Sequence, residues 1–115
     1  MHHKINYLEI PAKDIGLAKK FFTEVFEWRF VDYGPEYSCF EEAGMMGGFY
    51  KADVASSTKK GAGLIVIYSK ELEVTQAKVE QAGGSIMKEV FAFPGGRRFH
   101  FADLNGNEFA VWSNS

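Results

Sequence analysis

Residues 5–28 read INYLEIPAKDIGLAKKFFTEVFEW, and residues 64–85 read LIVIYSKELEVTQAKVEQAGGS. Each begins as a short apolar strand, meets an acidic residue, Asp14 or Glu71, and continues as an amphipathic helix. Glu71 stands about half a chain beyond Asp14, and self-similarity at that period marks two copies of one supersecondary unit. In the first copy Ala18, Phe21, Phe22, Val25 and Phe26 recur at the spacing of one helical face packed on a sheet. Asp14 is placed as the N-cap of that helix. Two such units side by side are expected to leave a concave sheet, and aromatic walls would make it a place to hold a small molecule.

Outward from these stretches the punctuation is regular. Pro11 marks the end or the edge of the first strand, Ile5 to Ile10. Trp28 to Tyr33, closed by Gly34-Pro35, reads as a strand, followed by strands at Tyr37 to Glu42 and Gly47 to Lys51. Residues 53–63 carry Ser, Thr, Lys and Gly and are expected to be a mobile linker. Beyond it come a buried strand, Leu64 to Tyr68, and a helix from Glu71 to Ala82 stopped by Gly83-Gly84. A strand at Ser85 to Val90 leads to a loop, Phe93 to Gly96. Phe99 to Asp103 and Glu108 to Trp112 then flank Asn105-Gly106, whose tolerance of positive φ predicts a type I′ hairpin. The order strand, helix, three strands, stated twice, defines an α+β class with mostly antiparallel pairing and one domain. Module 1 covers about 1–52, the linker 53–63 and module 2 about 64–115.

With 115 residues the chain can bury about two thirds of its unfolded surface in one core. It is 46% hydrophobic and 16% aromatic, with eleven Phe, more ring surface than such a core requires, so some rings are expected to line a cavity. Apolar runs such as Leu64 to Tyr68 are too short to cross a bilayer, and residues 1–4 do not resemble a signal peptide. A cytoplasmic protein without a membrane partner is expected. The net charge of −2, with Lys and Arg scattered in pairs, argues against a nucleic-acid partner. The single Cys39 cannot form an internal disulfide and reads as a half-buried strand residue.

Four runs carry a family resemblance. They are Tyr7-Leu8-Glu9-Ile10-Pro11-Ala12-Lys13-Asp14 leading into Phe21-Phe22 and Phe26-Glu27-Trp28; Gly47-Gly48-Phe49; Ala82-Gly83-Gly84; and Arg97 through Glu108. In this order the chain resembles, over nearly its whole length, the vicinal oxygen chelate superfamily, also called the glyoxalase/bleomycin resistance/dioxygenase family. The resemblance implies two βαβββ modules forming a curved, mostly antiparallel sheet with a cleft, and a homodimer in which each cleft is buttressed by the neighbour. It also implies a divalent metal held by His, Glu or Gln, roughly one from each of four strands. Those positions fall here on Tyr7, Leu64, Ala110 and the neighbourhood of Phe40 to Glu42, where Glu41 or Glu42 could serve. Leu and Ala have no lone pair, and a phenol is a poor ligand near neutral pH for a metal that prefers imidazole and carboxylate. No metal cofactor is therefore expected, and the family's metal-dependent activities are not carried over. A displaced site built from Glu9, Glu108 and Glu41 is the alternative.

The candidate ligand-binding residues are Tyr7, Glu9, Tyr68, Arg97, Glu108 and Trp112, with Glu9 the candidate catalytic base. Strand parity places Tyr7 with Glu9, Glu108 with Ala110 and Trp112, and Tyr68 with Leu64. Glu9 reads equally as a cross-sheet salt bridge or hydrogen bond. Arg97 and Arg98 follow a Gly-Gly loop and read as an anion clamp at the cleft mouth, or as a surface pair against Asp103 or Glu108. His100 reads as a hydrogen-bonded structural residue, and Met45-Met46 as a pliable patch or a hinge. The function expected is small-molecule binding without the usual metal. The alternatives are a metal-dependent enzyme resembling lactoylglutathione lyase, and sequestration of a drug or toxin.

Overall fold

A computed structural model of the chain describes residues 2–115. Its elements are β1 (Leu8–Ala12), α1 (Ile15–Phe26), β2 (Arg29–Asp32), β3 (Tyr37–Glu41) and β4 (Gly47–Lys51), then β5 (Ile65–Tyr68), α2 (Leu72–Gln81), β6 (Ser85–Phe93), β7 (Gly96–Ala102) and β8 (Glu108–Ser113). They form two four-stranded sheets, ordered β1-β4-β3-β2 and β5-β8-β7-β6. The same order arises twice because each unit pairs its first strand in parallel with its last, β1 with β4 and β5 with β8, and closes the rest as antiparallel hairpins. The fold is α+β and the sheets are not closed into a barrel.

Asp14 caps α1, accepting a hydrogen bond from the backbone N–H of Leu17, and the stripe Ala18, Phe21, Phe22 and Val25 is buried. Phe22 touches Phe49 of the first sheet and Phe109 of the second, while Phe21 and Phe26 reach Phe101 of β7. One apolar core therefore joins both sheets. That core absorbs more rings than expected, since Phe21, Phe22, Phe40, Phe49, Phe99, Phe101 and Phe109 are all fully buried. Because side chains alternate along a strand, each sheet turns one face to this core and the other away from it.

Several features depart from the sequence reading for local reasons: β7 starts early, at Gly96, and β5, expected to be buried, turns Val66 and Tyr68 outward on an edge strand and leaves them exposed. β1 begins at Leu8, where the N–H of Leu8 finds the carbonyl of Met46, and runs through Pro11, which an edge strand tolerates. β6 continues to Phe93, so the expected loop contracts to the two residues Pro94-Gly95 between the paired Phe93 and Gly96. The turn at Asn105-Gly106 is not type I′, because Gly106 has φ 83° but Asn105 is not at positive φ. Instead Gly106 donates back to the carbonyl of Asp103, and Asn105 uses its side chain to bridge the modules. It accepts from the N–H of Asp14 at 2.8 Å and donates to the Asp14 carbonyl at 3.0 Å. The linker is likewise tied down: Ser56 donates to Asn107 Oδ1, and Thr58 opens a short 3-10 turn held to Glu108.

Candidate functional site

The outward face of the first sheet carries Tyr7, Glu9, Tyr37 and Cys39. The Tyr37 hydroxyl donates to Glu9 Oε2 at 3.0 Å, Tyr7 and Tyr37 share a 2.6 Å hydrogen bond, and Tyr7 lies 3.1 Å from Cys39 Sγ. With the proton of Tyr37 given to Glu9, Tyr7 donates to the Tyr37 oxygen and the Cys39 thiol to Tyr7, a chain that ends on a carboxylate. The Gly47-Gly48 doublet makes it possible. A Cβ on Gly48 would stand 2.5 Å from the Tyr37 hydroxyl, so the bare backbone of β4 lets the phenol lie across it from β3 to β1. On the core side Gly47 does the same for the ring of Phe40. Burial and the hydrogen bonds with Tyr7 and Glu9 push the Tyr37 phenol above its ordinary value of 10, and the contact with Cys39 raises Tyr7 as well. Both phenols thus stay protonated, as donors, at neutral pH.

The outward face of the second sheet is built differently. Phe91, Arg98, Trp112 and Tyr68 are cross-strand partners in one row over β6, β7, β8 and β5. The guanidinium carbon of Arg98 sits 5.3 Å from the centroid of Phe91 and 5.5 Å from that of Phe93, and Trp112 meets Tyr68 edge-on at 5.1 Å. A recess of about 280 Å³ opens here, lined by Val66, Phe93, Gly95, Arg98 and Trp112. The next row is Lys88, His100, Ala110 and Val66, so the small Ala110 lies beside Trp112 on this face.

Under that row Glu108 is buried with His100. Its Oε2 accepts from His100 Nδ1 at 2.8 Å, and its Oε1 accepts from the N–H and hydroxyl of Thr58 at 2.8 and 2.9 Å. Burial pushes the Glu108 carboxyl up, but the hydrogen bonds from His100 and Thr58 outweigh it and hold it below its ordinary 4.5. A carboxylate-held imidazole is the arrangement of a general base. His100 is only 2% exposed, however, and its Nε2 is buried without a partner, so a ligand on the face does not reach it as the face stands.

The expected residues therefore fall into separate sets. Tyr7 and Glu9 share the first sheet, and Tyr68 and Trp112 share the second; among the described residues no hydrogen bond or ring contact joins the two pairs. Glu108 faces the same way as Trp112 but lies buried as the support of His100. Arg97 is held on the other face of β7, ion-paired with Glu73 of α2 and bonded to the carbonyl of Ser115. It is Arg98, one residue on, that faces the rings. Sequence reasoning passed over Tyr37, His100 as the partner of Glu108, and Thr58. The readable signals were the parity of Tyr37 with Cys39 and the missing side chain opposite it at Gly48.

The positions that the resemblance assigns to a metal hold a phenol at Tyr7 and hydrocarbon at Leu64 and Ala110, and these do not suit a divalent cation. Among the described residues no three side chains of His, Cys, Asp or Glu gather as a metal-binding group, so Glu9, Glu41 and Glu108 stay apart. A second recess, about 520 Å³, lies where the edge strands β1 and β5 approach, with Leu8, Ile10, Trp28, Phe40, Met45 and Ile65 among its walls. It is larger, and the candidate Tyr68 lines it, but its one charged side chain is Glu42 and the rest of its walls are largely apolar.

A chain of two repeated βαβββ units, each with a helix-covered and an uncovered sheet face, is defined as a class by fold alone. Residues 4–111 match the family model of the Glyoxalase/Bleomycin resistance protein/Dioxygenase superfamily, and the chain belongs to that family. Solved structures agree. A glyoxalase-related enzyme from Fulvimarina pelagi is similar with a TM-score of 0.80 at 16% identity, covering 97% of this chain and 88% of that one. The fosfomycin resistance protein FosX from Listeria monocytogenes gives 0.79 at 17%, covering 100% and 96%. Lactoylglutathione lyase from Agrobacterium tumefaciens gives 0.71 at 17%, covering 96% and 93%. At such identities the likeness is one of fold. No curated protein matches the chain in sequence. No helix among the described residues is long and apolar enough to cross a membrane.

Proposed function

We propose that this protein binds a small molecule against the uncovered faces of its sheets, without the divalent metal its family commonly uses, and that it does so as a homodimer. The observation that carries the reading is the ring-lined recess on the second sheet, an apolar hollow with one directed cation and Trp112 and Tyr68 beside it. Tyr7 and Glu9, on the first sheet, are not among the residues that line that recess. Tyr7, Tyr50, Val66 and Tyr68 are between 37% and 48% exposed, and apolar surface of this kind is what a second copy covers. A two-fold pair laying the first sheet of one copy over the second sheet of the other would form two equal clefts. Each cleft would then join Tyr7 and Glu9 to Tyr68 and Trp112.

A thermal-shift screen of aromatic and anionic metabolites is expected to yield a stabilising ligand whose effect Trp112→Ala removes, and sedimentation is expected to give the mass of two chains. Glu9→Gln is expected to weaken binding in the dimer with the fold intact. A monomer that no compound in the screen stabilises contradicts the proposal. A lactoylglutathione-lyase-like activity would need a Lewis acid that Tyr7, Leu64 and Ala110 do not supply donors for. Tight one-to-one nickel binding, with turnover abolished by EDTA, would establish that reading in place of ours.

A further inference from the structure

We infer that Arg98 is an anion anchor and that the recess on the second sheet takes a flat, aromatic carboxylate. This rests on the reading that the uncovered face is a binding surface and adds the chemical class of what it binds.

The argument starts from charge. Arg98 has no carboxylate partner among the described residues, while Arg97 beside it is paired with Glu73. The carboxylate on the same face, Glu108, has both oxygens committed to His100 and Thr58. The guanidinium is positioned instead by the rings of Phe91 and Phe93, and its Nε–H is buried without an acceptor. A planar cation stacked on rings keeps its in-plane donors available, and leaving them unmet in a desolvated place is costly. An incoming carboxylate accepts the terminal Nη–H groups, which are not buried with Nε, as paired, charge-assisted hydrogen bonds.

Shape supplies the rest. Arg98 is the direct cross-strand partner of Trp112, so an anionic group on Arg98 places the body of the ligand over the indole, with Tyr68, the next partner in the row, outside the recess's own lining. At about 280 Å³ the recess admits one or two fused rings. Gly95 and Val66 complete a wall without competing charge.

Calorimetric titration of the intact protein with 2-naphthoate and with its neutral isostere 2-naphthamide tests this. The carboxylate is expected to bind at least tenfold more tightly than the amide. Arg98→Gln is expected to remove that preference, and Arg98→Lys, which keeps the charge but not the fork, to retain part of it. Circular dichroism of each variant checks the fold, and the comparison of the two ligands on unmodified protein needs no variant at all. Equal affinity of acid and amide, absence of naphthoate binding, or a preference lost in Arg97→Gln but kept in Arg98→Gln would each overturn the inference. If acid and amide bind alike and Trp112→Ala abolishes both, the anion anchor falls and the binding surface stands. If neither binds, the anchor falls and the metabolite screen judges the surface separately.

Discussion

On the first sheet the phenols of Tyr7 and Tyr37 direct their hydrogen bonds toward Glu9, an exposed carboxylate; on the second, the carboxylate Glu108 is buried, and His100, bonded to it, and Arg98, farther along the same face, keep nitrogen atoms without partners. The two faces belong to copies of one βαβββ unit with the same strand order. Repetition therefore fixes where side chains point, not what they do. In the first copy Gly48 leaves room for a ring to cross the sheet, and the polar groups satisfy one another at the surface. In the second, bulk at Phe91, Phe93 and Trp112 covers the polar groups beneath. Polar groups under apolar cover are worth more and risk more, because the low local dielectric strengthens a made bond and penalises an unmade one.

The sharpest way to break this contrast is at Glu108. Glu108→Ala leaves Thr58 and His100 without their acceptor and is expected to cost about 3–5 kcal/mol, as removal of one member of a buried pair does. Glu108→Gln keeps an acceptor for Thr58 and lets His100 shift its tautomer, so its cost is expected to stay near 1 kcal/mol. Urea denaturation separates the two, and equal costs would mean the pair is not the support it looks like. The folded Glu108 value lies below the ordinary 4.5. Its stabilisation is therefore whole above about pH 4.5 and is lost as pH falls below that.

Asp103 carries the opposite sign in the same module. Burial raises it to about 6 despite hydrogen bonds from the N–H groups of Asn105 and Asn107, and its Oδ2 has no partner. A folded value above the unfolded one means the native state holds the proton longer, so wild-type stability falls as pH rises from about 4 to 6. Asp103→Asn keeps the acceptor for both N–H groups and deletes the titration. Its stability relative to wild type is expected to climb by up to about 3 kcal/mol between pH 4 and 7. Parallel stability curves for the two proteins over that range would show that Asp103 titrates normally.

How much of this was legible varies with how local the cause is. The helices, the succession of elements along the chain and the N-cap at Asp14 follow from periodicity and nearest neighbours, so the sequence states them openly. The identity of the buried acid, Glu108 with His100, depends on residues eight apart meeting across a hairpin and on Thr58 reaching over from the linker. Parity placed Glu108 on the correct face but carries no information on depth. The choice between Arg97 and Arg98 turns on strand register, where one residue exchanges the two faces. The turn at Asn105-Gly106 misled because its strong hairpin composition serves a different end, the bridge from Asn105 to Asp14.

Gly48→Ala sharpens the comparison from the first sheet. A Cβ there stands 2.5 Å from the Tyr37 hydroxyl, so the phenol must leave, at an expected cost of about 1–2 kcal/mol. The raised titrations of Tyr7 and Tyr37 give a direct readout. Ultraviolet absorbance during alkaline titration is expected to show two phenols ionising above the ordinary 10 in wild type and falling back toward it in the variant. Unchanged titration with the expected loss of stability would mean the ring had moved without the chain of hydrogen bonds mattering.

The smallest effect is the coupling between Tyr37 and Glu9, and it decides whether the first face is a weak version of the second or a different device. A double-mutant cycle of Tyr37→Phe and Glu9→Gln measures that bond alone. Solvent competes for both groups, so the coupling is expected to be about 0.5–1 kcal/mol, several-fold below the loss in Glu108→Ala. A coupling as large as the buried pair's would mean that something covers Tyr7, Tyr37 and Glu9 in solution, as a second copy laid over the first sheet would. Repeating the cycle across a dilution series that takes the protein from dimer to monomer separates the two cases, since only a coupling made by the partner decays with concentration.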